Sequence, residues 1–151
     1  MKRIISLLLA VMTVLALTAC GGKTTTVDAQ SLAKALAEKT AFESELSAVS
    51  KEELGYYFQL PEGCTAAAYM SSGSTAEEVF VIQCKSGDDA AALRASMQEF
   101  LDSQKTEMER YLPAEVDRIN GAIFETYGTC VVLCVTSDTD TARSVIKEYV
   151  K

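Results

Sequence analysis

The side chains here best suited to covalent or metal chemistry are five cysteines, Cys20, Cys64, Cys84, Cys130 and Cys134, in a chain of 151 residues without a histidine. Losing histidine removes the most versatile general base and the commonest metal ligand, and most hydrolase and zinc-site readings go with it. Cys64 and Cys84 flank a predicted hairpin and could face each other across it, which makes them the candidate disulfide in an exported domain. Cys130 and Cys134 fall four apart on one face of a predicted strand, about 13 Å apart at strand rise and too far for a mutual bridge. Buried thiols acting as small apolar residues explain the four more simply. The spacings contain no Cys-x-x-Cys knuckle, so neither a four-cysteine zinc site nor a redox pair of that kind is expected.

The carboxylates give no acid/base constellation. Glu77 and Glu78 are adjacent, so on a strand they point to opposite faces and cannot act together. One is expected to guard an edge or join a surface ion pair. Asp138-Thr139-Asp140 opens like a calcium loop, but Ala142 stands where the third ligand is needed and the loop glycine and final glutamate are absent. Helix capping accounts for it. No glycine-rich phosphate loop and no Gly-x-Ser-x-Gly elbow occurs. The expectation is a chain with no catalytic residues, no metal site and no cofactor.

Cys20 is different because of what precedes it. Met1-Lys2-Arg3 is basic, residues 4–17 are apolar but for Ser6 and Thr13, and Leu17-Thr18-Ala19-Cys20 places small residues before the thiol. This is the shape of an export signal, shorter than the about 20 apolar residues of a membrane-spanning helix. The four residues resemble the bacterial lipobox, which implies cleavage before Cys20 and a diacylglycerol thioether on its sulfur. Several acyl chains of the palmitate kind, at about 0.8 kcal/mol per buried methylene, hold a protein firmly where one chain binds marginally. The expected organisation is a lipoprotein signal peptide over residues 1–19, a lipidated N-terminus and flexible tether over 20–27, and a single domain over 28–151. The small polar tether keeps the domain near the membrane while allowing it to reorient.

Without Lys2 and Arg3 the mature chain has 12 basic against 21 acidic residues. Such a domain is repelled by nucleic acid and bare anionic headgroups, so protein, peptide or envelope ligands are the expected partners, with the membrane reached through Cys20.

Periodicity and punctuation then supply the elements. Asp28 is placed to cap a first helix carrying Leu32, Ala35 and Leu36, and Ser50 with Glu53 forms a capping box before Leu54 and Tyr57. Residues 64–70 and 78–84 read as a hairpin across Ser71-Ser72-Gly73-Ser74, with Val79-Phe80-Val81-Ile82 apolar on both sides. Asp88 or Asp89 starts a long helix whose Leu93, Met97, Phe100, Leu101, Met108, Tyr111 and Leu112 recur at helical spacing and predict a core stripe. After a short helix over 113–120, residues 122–126 and 130–136 form a second hairpin, and Asp138 or Asp140 caps a final helix. The predicted fold is α+β: a four-stranded, mainly antiparallel sheet with helices packed on one face, made of two strand-strand-helix units after N-terminal helices.

Ala76-Glu77-Glu78-Val79-Phe80-Val81-Ile82, Tyr111-Leu112-Pro113 and Tyr127-Gly128 before Val131-Val132-Leu133, in that order behind a lipobox, resemble bacterial lipoproteins of domain-of-unknown-function family 4358. The resemblance covers roughly residues 28–150. It implies a small surface-tethered domain and no known reaction, ligand or catalytic residue. The functional expectation is a membrane-anchored extracytoplasmic lipoprotein serving as a noncatalytic binding module; the alternative is a thiol-dependent redox or metal-binding protein using Cys130 and Cys134.

Overall fold

The computed structural model describes residues 25–150. The expected signal, Cys20 and most of the tether lie outside them. The domain opens with α1 (Ala29–Lys39), whose N-cap Asp28 accepts a hydrogen bond from the Ser31 amide at 3.0 Å. A short strand β1 (Ser47–Val49) and a one-turn helix α2 (Lys51–Leu54) follow. The capping box of α2 is complete: the Glu53 amide donates to Ser50 Oγ and the Ser50 amide to the Glu53 carboxylate. Two orphan amides of the helix start are thereby satisfied.

Next come β2 (Thr65–Met70), β3 (Glu78–Gln83), the 25-residue helix α3 (Gly87–Tyr111), α4 (Glu115–Asn120), β4 (Ile123–Tyr127), β5 (Cys130–Val135) and α5 (Thr139–Tyr149). All strand pairs are antiparallel, in the order β1-β2-β3-β5-β4.

Two features correct the expected fold. The sheet has five strands rather than four, because Ser47-Ala48-Val49 adds an edge beside β2, and the described residues hold five helices. Those helices also cover both faces of the sheet instead of one. Val79 and Val81 on β3, with Cys130, Val132 and Cys134 on β5, pack with residues of α1 and α5. Phe80 and Ile82, with Val131, Leu133 and Val135, pack with Ala90, Leu93, Met97 and Leu101 of α3. The physical reason lies in β5, which is buried at every position from Cys130 to Val135. Side chains alternate across a strand, so an unbroken apolar run demands a layer on each side. A second layer also recruits α1, which otherwise would have no sheet face to cover.

Aromatic packing fixes the α3 side. Phe80 is fully buried, with ring centroids of Phe58 and Phe100 at 5.6 and 6.1 Å. Burial of a side chain this size stabilises by about 1.5–3 kcal/mol.

Candidate functional site

A helix of 25 residues at about 1.5 Å each outruns six-residue strands at about 3.4 Å each, so α3 overhangs the sheet. Its buried residues stop at Leu101. Phe100, Gln104 and Met108 form a second row at four-residue spacing, next to the core row of Leu93, Met97 and Leu101 and running past its end. Periodicity places Phe100, Met108 and Tyr111 in the core stripe; Phe100 and Met108 do pack against that core while remaining half-buried, whereas Tyr111 is 79% exposed.

Opposite this row, the end of α2 turns through Gly55 and presents Tyr56 and Tyr57. With Tyr111 they are the exposed large hydrophobic side chains among the described residues. Tyr57 packs edge-on against Phe100 at 5.7 Å. Between the two elements, over Met70 at the end of β2, lies a cleft of about 500 Å³ that also carries Glu99, Gln104 and Glu107. A second cleft of about 520 Å³ shares Tyr56, Tyr57 and Met70 with the first and has Ser47, Ala48 and Val49 of β1 as a wall. A third depression, sharing Ser103 and Glu107, continues to Arg110 and Tyr111. Tyr56 and Tyr57 thus border adjoining clefts that run from the β1 edge to α3, and Tyr111 borders a neighbouring depression along α3 that shares Ser103 and Glu107 with the first of them. Neither β1 nor the overhang shows in local periodicity, so the groove was not legible from it; the signal available was the second row on α3.

Directly behind Gln104 sits Glu78, 1% exposed. Gln104 Nε2 donates to Glu78 Oε2 at 3.3 Å. Burial pushes the Glu78 carboxyl up to about 8, against the smaller opposing effect of that hydrogen bond. Desolvation disfavours the charged form, so this group keeps its proton at neutral pH.

Glu77 stands just before β3, and its ion pair is buried and not at the surface. Its carboxylate accepts from the amides of Glu43 and Ser44, each at 2.9 Å, and from Thr75 Oγ1 at 3.0 Å. Arg118, 8% exposed, reaches Glu77, Glu43 and Glu115. Glu115 in turn accepts from the Ala76 amide at 2.9 Å. The network ties the α1–β1 connection, the start of β3 and α4 together, and every donor and acceptor in it has a structural task.

The four described cysteines are all free and buried. Cys64 and Cys84 lie one step beyond the Thr65–Gln83 pair, facing each other across the hairpin base, and both are free and buried. Cys130 and Cys134 share the α1–α5 face and are likewise free and buried. Burial pushes Cys84 to about 11 and Cys130 and Cys134 to about 12. The thiolate is the nucleophile and the metal ligand, so these sulfurs are held in their inert form. Among the described residues no group of three acidic or cysteine side chains is placed to hold a metal ion. Asp138 caps α5, accepting from Thr141, and also accepts from the Ala41 amide at 3.1 Å. No helix of the described residues is long and apolar enough to cross a membrane.

Comparison with curated proteins and with solved structures gave no match to the chain. A family model does match, over residues 38–136, a narrower span than the resemblance suggested, which takes in the groove and the buried glutamates. On that match the chain belongs to DUF4358, a family defined by a domain of unknown function.

Proposed function

We propose that this protein is a lipid-anchored, extracytoplasmic binding module that receives its ligand in the groove between α2 and the overhanging half of α3. The carrying observation is the convergence of Tyr56 and Tyr57 on the groove, with Tyr111 on the neighbouring depression, since exposed aromatic surface rimmed by polar groups is how interaction sites differ from ordinary surface. Placement supports the same reading. Val27 donates its amide to Gln83 at 3.1 Å, so the described chain starts at the Gln83 end of β3, while the groove opens at the Met70 and Glu78 end. Five strand steps separate the two ends, roughly 17 Å. A chain tethered through Cys20 would hold the groove away from the lipid. The alternative, thiol-dependent redox or metal chemistry at Cys130 and Cys134, has no accessible sulfur in its favour.

Two measurements test the proposal. Mass spectrometry of the protein isolated from cells should find an N-terminal Cys20 carrying diacylglycerol; a different N-terminus without lipid removes the anchor. Replacing Tyr57 with a photocrosslinking amino acid should trap a partner or ligand in intact cells, and Tyr56→Ala should reduce the yield. An unaffected yield removes the groove.

A further inference from the structure

The two edges of the sheet are finished differently. At β4, Arg94 Nη1 donates to the Phe124 carbonyl at 2.9 Å and its guanidinium lies 4.0 Å over the Phe124 ring. A long side chain thus covers that edge, as natural sheets do to prevent unwanted pairing. At β1 no described residue supplies such a cover. Among the described residues, no side chain or loop hydrogen-bonds the main chain of Ser47, Ala48 or Val49 outside its ladder with β2. Ser47 and Ala48 are exposed, and all three residues form the wall of the groove facing Tyr56 and Tyr57.

Charge selects the occupant. The groove carries Glu53, Glu99 and Glu107, with Arg110 on the neighbouring depression. The neighbouring Lys51 keeps its charge but directs it away from Glu99 and Glu107, its Nζ donating at 2.7 Å to the Cys64 carbonyl at the opposite end of β2 from Met70. Carboxylates beside exposed tyrosine faces attract ammonium and guanidinium groups through both ion pairing and the ring quadrupole. An open strand edge supplies main-chain donors and acceptors at the repeat of an extended peptide. A second copy of this chain would bring the same carboxylates against these and is disfavoured.

We propose that an extended, lysine- or arginine-bearing segment of a partner protein adds to β1 as a sixth strand, setting alternate side chains over Tyr56 and Tyr57 and its basic groups against Glu53, Glu99 and Glu107. The proposal rests on the groove being the ligand site and names what it binds. β1 is three residues long, so few main-chain bonds form and the side-chain contacts must carry selectivity.

The test uses the full chain purified from envelopes in detergent and a fluorescent synthetic peptide alternating lysine with valine or tyrosine. Anisotropy should show saturable binding that weakens with salt, and at least about tenfold weaker binding after Glu99→Gln with Glu107→Gln. N-methylation of alternate peptide amides should cost at least about tenfold in one register and little in the other, because a strand presents alternate amides to its neighbour. Equal binding of the glutamate-for-lysine peptide, tolerance of both methylation registers, or a concentration-dependent dimer in sizing runs overturns the proposal. If no peptide binds while Tyr57 crosslinking still captures a ligand, such as a neutral chito-oligosaccharide, the groove stands and strand addition falls. If crosslinking at Tyr57 also captures nothing, both fall.

Discussion

Glu78 and Gln104 meet through a single hydrogen bond, Gln104 Nε2 to Glu78 Oε2 at 3.3 Å, which leaves Glu78 Oε1 and Gln104 Oε1 buried without a donor. Two acceptors facing burial without a donor are costly, and one proton on Glu78 supplies the donor that is missing. The carboxyl raised from 4.5 to about 8 by burial is the titration counterpart of that geometry.

The sign of the resulting pH dependence follows from linkage. The folded protein holds a proton on Glu78 that the unfolded chain releases above about 4.5, so the contribution is complete below that value and lost as pH rises through about 8. The thermal midpoint should therefore fall between about pH 5 and about pH 9, and Glu78→Gln, which carries its own donor at every pH, should flatten the fall. An unchanged slope in a calorimetric pH series would count against a protonated Glu78.

Arg118 compensates Glu77 and Glu115 inside the fold, and removing it strands two buried carboxylates. Arg118→Ala is expected to destabilise by about 3–5 kcal/mol in urea unfolding. Glu77→Gln, which keeps the volume but weakens the bonds from Glu43, Ser44 and Thr75, should cost about 1–3 kcal/mol. A loss below 1 kcal/mol for Arg118→Ala would mean the site relaxes to admit water.

Buried thiols resist alkylation. Native protein should leave Cys64, Cys84, Cys130 and Cys134 unlabelled by iodoacetamide at neutral pH, and denaturant should expose all four. Under a thiol oxidant the first bridge should be Cys64–Cys84, which face each other, and never Cys130–Cys134 on one strand. Peptide mapping without reduction reads both results.

Groove residues should separate from core residues in their effect on stability. Tyr56→Ala and Tyr111→Ala, both at highly exposed positions, should stay within about 0.5 kcal/mol of the parent. Phe80→Ala, by contrast, empties a filled core position and should cost about 3–5 kcal/mol. Denaturant midpoints distinguish the two classes, and a large loss at Tyr56 would make it a structural residue.

Much of the fold was legible locally because its signals are short-range. Asp28, the Ser50–Glu53 box and Asp138 cap the helices they announce, and both hairpins stand where their turns place them. The beginning of α3 moved to Gly87 because Ser86 took the cap by accepting from the Asp89 amide at 3.1 Å. Ser47-Ala48-Val49 was not legible, since three small residues give no alternation and become a strand only beside β2. The groove was hidden for a related reason: Phe100 and Met108 have core spacing, and only the length of the strands beneath decides that α3 runs past them.

The sequence by itself determined the capped helices, the turns and the two apolar hairpins. Each is set by residues a few positions apart, where backbone geometry, capping bonds and side-chain period act directly. The tertiary structure alone decided that helices cover both faces, that β1 forms an open edge, and that Glu78 is buried deeply enough to keep its proton. It also brought Tyr56 and Tyr57 to a groove against α3. Those outcomes depend on distant segments excluding water from one another, a property of packing that no local stretch of chain contains.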